Sequence, residues 1–179
     1  KVISRYGVGV DNVDVDYCTE NGIYVTFAPE SNANSVAEHT MLLILNCARN
    51  SSLIEQEFRN GNFNIRNQAR LIDLEGKILG LIGIGRIGSL VAKKSINGFG
   101  MKVIGYDPYL RAENAPEGIT LLSTIEEVFQ KADFVSLHIP STQMTRKIIN
   151  MVHFKLMKRD SYLINTARGE IVNERDLIE

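Results

Sequence analysis

Apolar residues recur along the chain in two alternating rhythms. Short apolar runs at 1–4, 23–26, 78–82, 102–106, 134–138 and 162–165 have the length and composition of strands. Between them lie stretches at helical spacing: 14–21, ended by Gly22, 86–99, stopped at Gly100, and 124–131, with Glu at the capping-box position. A further helix is predicted over 35–49, opened by Ser35-Val36-Ala37-Glu38, where Ser35 and Glu38 can satisfy each other's free backbone N–H groups. Its Val36, Ala37, Met41, Leu42, Leu43, Ile44, Leu45, Cys47 and Ala48 are apolar nearly all round. Such a helix buries more than one side, against its own core and a second subunit. Ala28-Pro29-Glu30-Ser31 interrupts the rhythm, and residues 51–75 turn polar, reading as a helix followed by an extended arm. Residues 173–179 read as a helix broken off in its second turn. Strands this apolar, alternating with helices, predict a parallel sheet covered on both faces. The expected fold class is α/β, doubly wound.

Composition narrows the function without naming it. With 179 residues, 44% hydrophobic and 23% charged, the chain can bury one sizeable core and is not disordered. Twenty Lys and Arg against 21 Asp and Glu leave a net charge of −1, so no basic excess points to nucleic acid or an anionic membrane. The longest apolar run, 41–45, stops at Asn46 and is too short to span a bilayer. Cys18 and Cys47 sit in apolar helical patterns and are expected to be buried, reduced thiols of a cytoplasmic protein. No metal site is expected. Lys1-Val2-Ile3-Ser4 starts as a strand without an initiator Met, so the chain reads as a piece of a longer protein.

The chemistry concentrates after the third strand. Gly83-Ile84-Gly85-Arg86-Ile87-Gly88 is a G-x-G-x-x-G that closes an apolar strand and opens a helix. Gly83 would permit the tight turn, Gly85 would admit a pyrophosphate, and Gly88 would let the helix pack on the strand. The helix N-terminus offers free N–H groups and partial positive charge to the phosphates. Asp107 ends the next strand, 19 residues after Gly88, where a carboxylate accepts both ribose hydroxyls and repels a 2′-phosphate. NAD is therefore expected over NADP. A ligand-free Gly-rich turn and a turn Asp before Pro108 are the plainer reading of the same residues.

Other motifs carry a resemblance. Arg5-Tyr6-Gly7-Val8-Gly9-Val10-Asp11-Asn12-Val13-Asp14 resembles the substrate-lobe loop of the D-isomer-specific 2-hydroxyacid dehydrogenases. Asn32-Ala33-Asn34-Ser35-Val36-Ala37-Glu38-His39 resembles their crossover into the cofactor lobe. His138-Ile139-Pro140-Ser141-Thr142 resembles their H-x-P loop, and Leu163-Ile164-Asn165-Thr166-Ala167-Arg168-Gly169 the strand end bearing their catalytic arginine. The loop at Gly7 looks most like the phosphoglycerate dehydrogenase branch. The resemblance implies that residues 1–30 are the tail of a flavodoxin-like substrate lobe, and 31–179 an NAD-binding Rossmann domain incomplete at its C-terminus. It implies that backbone N–H groups at Val8 and Gly9 bind the substrate carboxylate. Arg168 would hold the carboxylate and carbonyl of a 2-hydroxy or 2-oxo acid, with D-3-phosphoglycerate the leading substrate. His138, Pro140, Thr145, Thr166 and Ala167 would line the cofactor, and Arg86 and Ile87 would meet its pyrophosphate. The helix from Ser35 and the polar arm resemble elements that form the family's homodimer through the cofactor domain.

Each assignment has a plainer counterpart. Arg168 could be a surface arginine, although a strand end before Gly169 is where α/β sheets place ligands. Gly7 and Gly9 could simply make a turn. His39 reads as a satisfied core or interface histidine, His153 as solvated, and His138 as a cofactor contact rather than a proton-transfer base. The family's catalytic Glu and His follow the arginine motif and are expected beyond Glu179. Two readings stay open: a dehydrogenase, acting on phosphoglycerate or on lactate, glyoxylate or hydroxypyruvate, and a dinucleotide-sensing scaffold like the family's corepressors.

Overall fold

The computed structural model describes residues 1–29 and 31–179, so Glu30 in the predicted boundary lies outside the described residues. Two short strands, β1 (Val2–Ser4) and β2 (Tyr24–Thr26), pair in parallel around helix α1 (Val15–Glu20), whose N-terminus is capped by the Asp14 carboxylate. Helix α2 (Ala33–Arg49) ends at Asn50, whose left-handed backbone turns the chain into α3 (Ser51–Arg59). A short helix α4 (Ile65–Gln68) follows within the polar arm.

The main sheet uses β3 (Ile78–Ile82), β4 (Lys102–Tyr106), β5 (Ile119–Leu121), β6 (Phe134–Leu137) and β7 (Tyr162–Asn165). Its order is β5-β4-β3-β6-β7, and every pair is parallel. Helices α5 (Arg86–Phe99), α6 (Ile125–Lys131) and α7 (Met151–Leu156) connect the strands, and α8 (Glu174–Ile178) closes the chain. Strand order reverses between β3 and β6, which is the switch point where sheets of this kind open a crevice.

Period-two alternation decides which side chain meets which layer. In β3, Leu79 and Leu81 pack with Met41, Ile44 and Val91 of α2 and α5. The opposite face carries Ile82 with Val128, Phe129, Val135 and Leu137, and a methyl at Gly80 would strike Val128 and Ala132. Both faces are closed, as the apolar strands require.

Several sequence expectations are corrected. Helix α2 begins two residues before Ser35, so the Ser35–Glu38 capping box does not form; Glu38 instead accepts from Asn34 Nδ2 at 2.7 Å. In the single chain Leu42 of α2 is half exposed, so its own core covers only part of the apolar helix. Cys18 is buried, but Cys47 is only partly so. Strand β5 is too short, and α7 too unusual in its cap, to stand out in the pattern. Asn150 N–H donates to His153 Nδ1 at 3.3 Å while Asn150 Oδ1 accepts from Val152 N–H at 3.1 Å. His153 is therefore a buried cap, packed edge-on to Phe129, and not a solvated side chain.

Candidate functional site

All the predicted cofactor and arginine positions fall at one edge of the sheet, after the C-terminal ends of β3, β4, β6 and β7. At the β3–α5 turn, Gly83 has φ +90°, and a Cβ there would lie 2.8 Å from the His138 carbonyl oxygen. Only glycine fits both demands. A Cβ at Gly88 would collide with the Gly83 carbonyl, so its lack of a side chain seats α5 against the strand end. At Gly85 the situation is the opposite, with no atom within 4 Å of an added Cβ. Gly85 also caps α5 without a side-chain bond, which leaves the first-turn N–H groups to a ligand. The open space, the helix end and the positive partial charge fit a pyrophosphate. Arg86 is exposed beside this turn with Nη1 3.5 Å from the Pro29 carbonyl, whereas Ile87 packs into the core.

Asp107 does two things at once. Its Oδ2 accepts the Ile84 N–H at 2.8 Å, and its Oδ1 accepts the Tyr109 N–H at 2.9 Å. The acid thus braces the glycine turn and makes its own turn, while an ionised carboxylate keeps further lone pairs for ribose hydroxyls. The turn role is met directly, and it leaves the carboxylate compatible with the ligand role.

After β6, His138 Nε2 lies 3.0 Å from the hydroxyl of buried Ser136, and burial pushes its imidazole down to about 4. His138 is therefore neutral at physiological pH. Thr145 Oγ1 donates to the Pro140 carbonyl at 2.6 Å and accepts the Thr142 N–H at 2.7 Å, so Thr145 holds the loop that presents exposed Pro140. The same loop is pinned by Glu170, which accepts from Ser141 Oγ at 2.9 Å and from both Nε and Nη2 of Arg146.

After β7, Asn165 Oδ1 accepts the Ala167 N–H at 3.0 Å, and its Nδ2 donates to the Arg168 carbonyl at 2.8 Å. This Asx turn aims Thr166, Ala167 and Arg168, and Asn165 was legible only as part of the motif. Thr166 Oγ1 meets Thr40 Oγ1 of α2 at 3.0 Å. His39, expected in a core or interface, is exposed in this chain and lines a cleft of about 580 Å³ with Asn32, Ser35, Thr166 and Arg168.

The Arg168 guanidinium reaches across to the loop after β1. Its Nε and Nη2 donate to Asp11 Oδ2 at 3.0 and 2.8 Å, and Nη1 donates to the Ala167 carbonyl at 2.9 Å. The contact passes directly over Gly9, where any Cβ would collide with Nη2. Among the described residues, the N–H groups of Val8 and Gly9 meet no acceptor. The fold therefore brings Arg168 and the Val8–Gly9 loop together. Asp11 is the partner that sequence reading missed, since no local signal links residues 157 apart.

A parallel sheet with its switch point at a glycine turn, a helix N-terminus and an acid after the next strand defines a dinucleotide-binding domain. Residues 41–179 match the family model of the D-isomer specific 2-hydroxyacid dehydrogenase, NAD binding domain, and the chain belongs to that family. Over its whole length it is 46% identical to D-3-phosphoglycerate dehydrogenase of Methanocaldococcus jannaschii, covering 34% of that protein. It is 41% identical to hydroxypyruvate reductase of Thermotoga maritima, of which it covers 57%. Among solved structures, the D-lactate dehydrogenase of Aquifex aeolicus complexed with NAD and lactic acid matches 99% of this chain and 53% of its own. That match has a TM-score of 0.89 at 40% identity. The chain thus spans between a third and about three fifths of these relatives.

Proposed function

We propose that the full protein carrying this chain is an NAD-dependent D-2-hydroxyacid dehydrogenase, with D-3-phosphoglycerate as substrate. The observation that carries this reading is the Arg168 guanidinium seated over Gly9, beside the free N–H groups of Val8 and Gly9. A carboxylate bound at those N–H groups lies within reach of a planar, permanently charged fork. The D-3-phosphoglycerate dehydrogenases among the relatives favour that substrate over lactate or hydroxypyruvate.

In this reading NAD, when bound, supplies the hydride acceptor. Gly83, Gly85, Arg86, Ile87 and Gly88 hold its pyrophosphate and Asp107 its ribose. His138, Pro140, Thr145, Thr166 and Ala167 line the remainder. Arg168 orients the substrate carboxylate and polarises its 2-oxygen, so that charge developing there in the transition state is met by fixed N–H donors. Neutral His138 lines the cofactor and is not the proton donor. Residues 1–30 belong to the substrate lobe and 31–179 to the cofactor domain. The protein works in the cytoplasm as a homodimer paired through α2 and α3. No helix among the described residues is long and apolar enough to cross a membrane.

The test is NADH oxidation by the full-length protein with 3-phosphohydroxypyruvate, pyruvate and glyoxylate, with NADH binding followed by fluorescence in the same samples. Turnover with one of the three supports the dehydrogenase and names the acid. NADH binding without turnover on any of them overturns it in favour of a dinucleotide-sensing scaffold.

A further inference from the structure

We propose that Asp11 is a positioning residue for Arg168, holding its guanidinium turned toward the Val8–Gly9 N–H groups before substrate arrives. The inference deepens the proposed dehydrogenase function and rests on it. A guanidinium has five N–H donors. Two converge on Asp11 Oδ2, and a third, from Nη1, goes to the Ala167 carbonyl. The contacts come from opposite ends of the site, one from the loop after β1 and one from the Asx turn after β7. Held at both, the group keeps one N–H on Nη1 and one on Nη2 for a ligand. An arginine has several rotatable bonds, and fixing them in advance removes an ordering cost that substrate would otherwise bear.

Glycine is required beneath this arrangement, because a side chain at position 9 would occupy the place of Nη2 and come within 2.7 Å of Asp11 Oδ2. Gly9 therefore serves the ion pair as well as the turn. Asp11 stays ionised at neutral pH, since the Arg168 hydrogen bond holds its carboxyl below the usual range. The loop is itself braced by Arg5 Nε, which donates to the Gly9 carbonyl at 2.9 Å. Both members of the pair are about half exposed, so the pair contributes little to folding. Its consequence is orientation, not stability.

The experiment compares Asp11→Ala, Asp11→Asn and Arg168→Ala in the full-length protein, on whichever of the three 2-oxo acids the parent protein reduces. The expected result is a KM for the 2-oxo acid raised about ten- to a hundredfold in Asp11→Ala, the scale of loss for a misplaced catalytic group. NADH affinity and melting temperature stay at parent values. Asp11→Asn, whose carbonyl oxygen can still accept from Arg168, returns KM to within about threefold. Three outcomes overturn the proposal. Parent-like KM and kcat in Asp11→Ala, with Arg168→Ala inactive, refute the role of Asp11 and leave the dehydrogenase reading standing. A KM that falls in Asp11→Ala would mean Asp11 competes with substrate. Parent-like turnover in Arg168→Ala removes both Asp11's role and the placement of Arg168 in the chemistry.

Discussion

The hydroxyls of Thr40 and Thr166, 126 residues apart in the chain, meet at 3.0 Å where α2 crosses the end of β7. Thr40 Oγ1 also donates to the Val36 carbonyl at 2.8 Å, which uses its single proton. Thr166 is therefore the donor of the pair, and its hydroxyl faces the helix. Thr40→Val keeps the volume of this fully buried residue but strands the Thr166 proton. The expected loss is about 1 kcal/mol, a fall of ~2–4 °C in melting temperature for a domain of this size. Thermal unfolding measures it, and an unchanged midpoint would remove the hydroxyl pair as a support of the loop.

The three glycines of the turn separate folding from binding. Gly85→Ala adds a methyl in open space and should melt at the parent temperature while losing NADH affinity by tenfold or more, on the order of 1.4 kcal/mol. Gly88→Ala drives a methyl into the Gly83 carbonyl and should lower stability by ~1–3 kcal/mol. Equal effects of both changes on melting would show that the open space at Gly85 has been misread. Calorimetric melting alongside NADH fluorescence distinguishes the cases.

Asp107→Ala should weaken NADH binding and narrow the preference for NADH over NADPH. It also releases the Ile84 N–H from its acceptor, so a stability loss of ~1 kcal/mol accompanies the change. Paired titrations with the two cofactors measure the preference, and an unaltered ratio would separate Asp107 from the ribose.

His138 makes stability depend on pH in a defined window. Its imidazole falls from an ordinary value of 6.5 to about 4 in the folded protein, so the unfolded chain binds more protons between those two values. Stability is therefore intact above pH 6.5 and declines as pH falls toward about 4. At 1.36 kcal/mol per unit, the loss from this group reaches at most about 3 kcal/mol. His153 is shifted down by burial too, against the pull of Glu126 and the Asn150 bond, and adds in the same direction. Across pH 4 to 7 the denaturant midpoint should fall more steeply with acid in the parent than in His138→Gln, which keeps only the His153 share. Superimposable profiles would refute the buried neutral imidazole.

Leu42, Leu53, Phe58, Phe63 and Leu71 expose between 40% and 71% of their surface along α2, α3 and the arm. Such a run of large apolar side chains suits an interface between copies of the chain. Leu42→Glu combined with Phe58→Glu should convert a dimer to a monomer in light scattering. A mass that does not change with those substitutions would exclude this face as a contact between copies.

How far the sequence reached depends on whether the signal was local. The glycine turn, Asp107 and the long strands were legible because strand, turn and helix chemistry lie within a few residues of each other. Helix α2 was located but started late, since Ser35 and Glu38 imitate a capping box while the helix already runs from Ala33. The cap of α7 was hidden because Asn150 and His153 replace the usual Ser or Thr and Glu or Gln. Val8, Gly9 and Arg168 were reached only through a resemblance, and what joins them, Asp11, is visible only after the chain has folded. Long-range pairs such as Thr40 with Thr166 leave no pattern in a single sequence.

The small β1–β2 unit has a physical character of its own. Among residues 1–29 only Cys18 is buried, whereas the five-stranded sheet is close-packed on both faces. In a polypeptide of residues 1–179 by itself, amide hydrogens of the first segment should accordingly exchange with solvent far sooner than those of β3 or β6. Within this chain the two sides of the candidate site thus differ in packing: the glycine turn and Asp107 stand on the close-packed sheet, and the Val8–Gly9 loop on the thinly packed first segment. Among the side-chain contacts that join this segment to the sheet domain are the Asp11–Arg168 pair and the Arg86 bond to the Pro29 carbonyl. Keeping the Val8–Gly9 loop in register with Arg168 therefore falls to those contacts between segments, not to packing within residues 1–29.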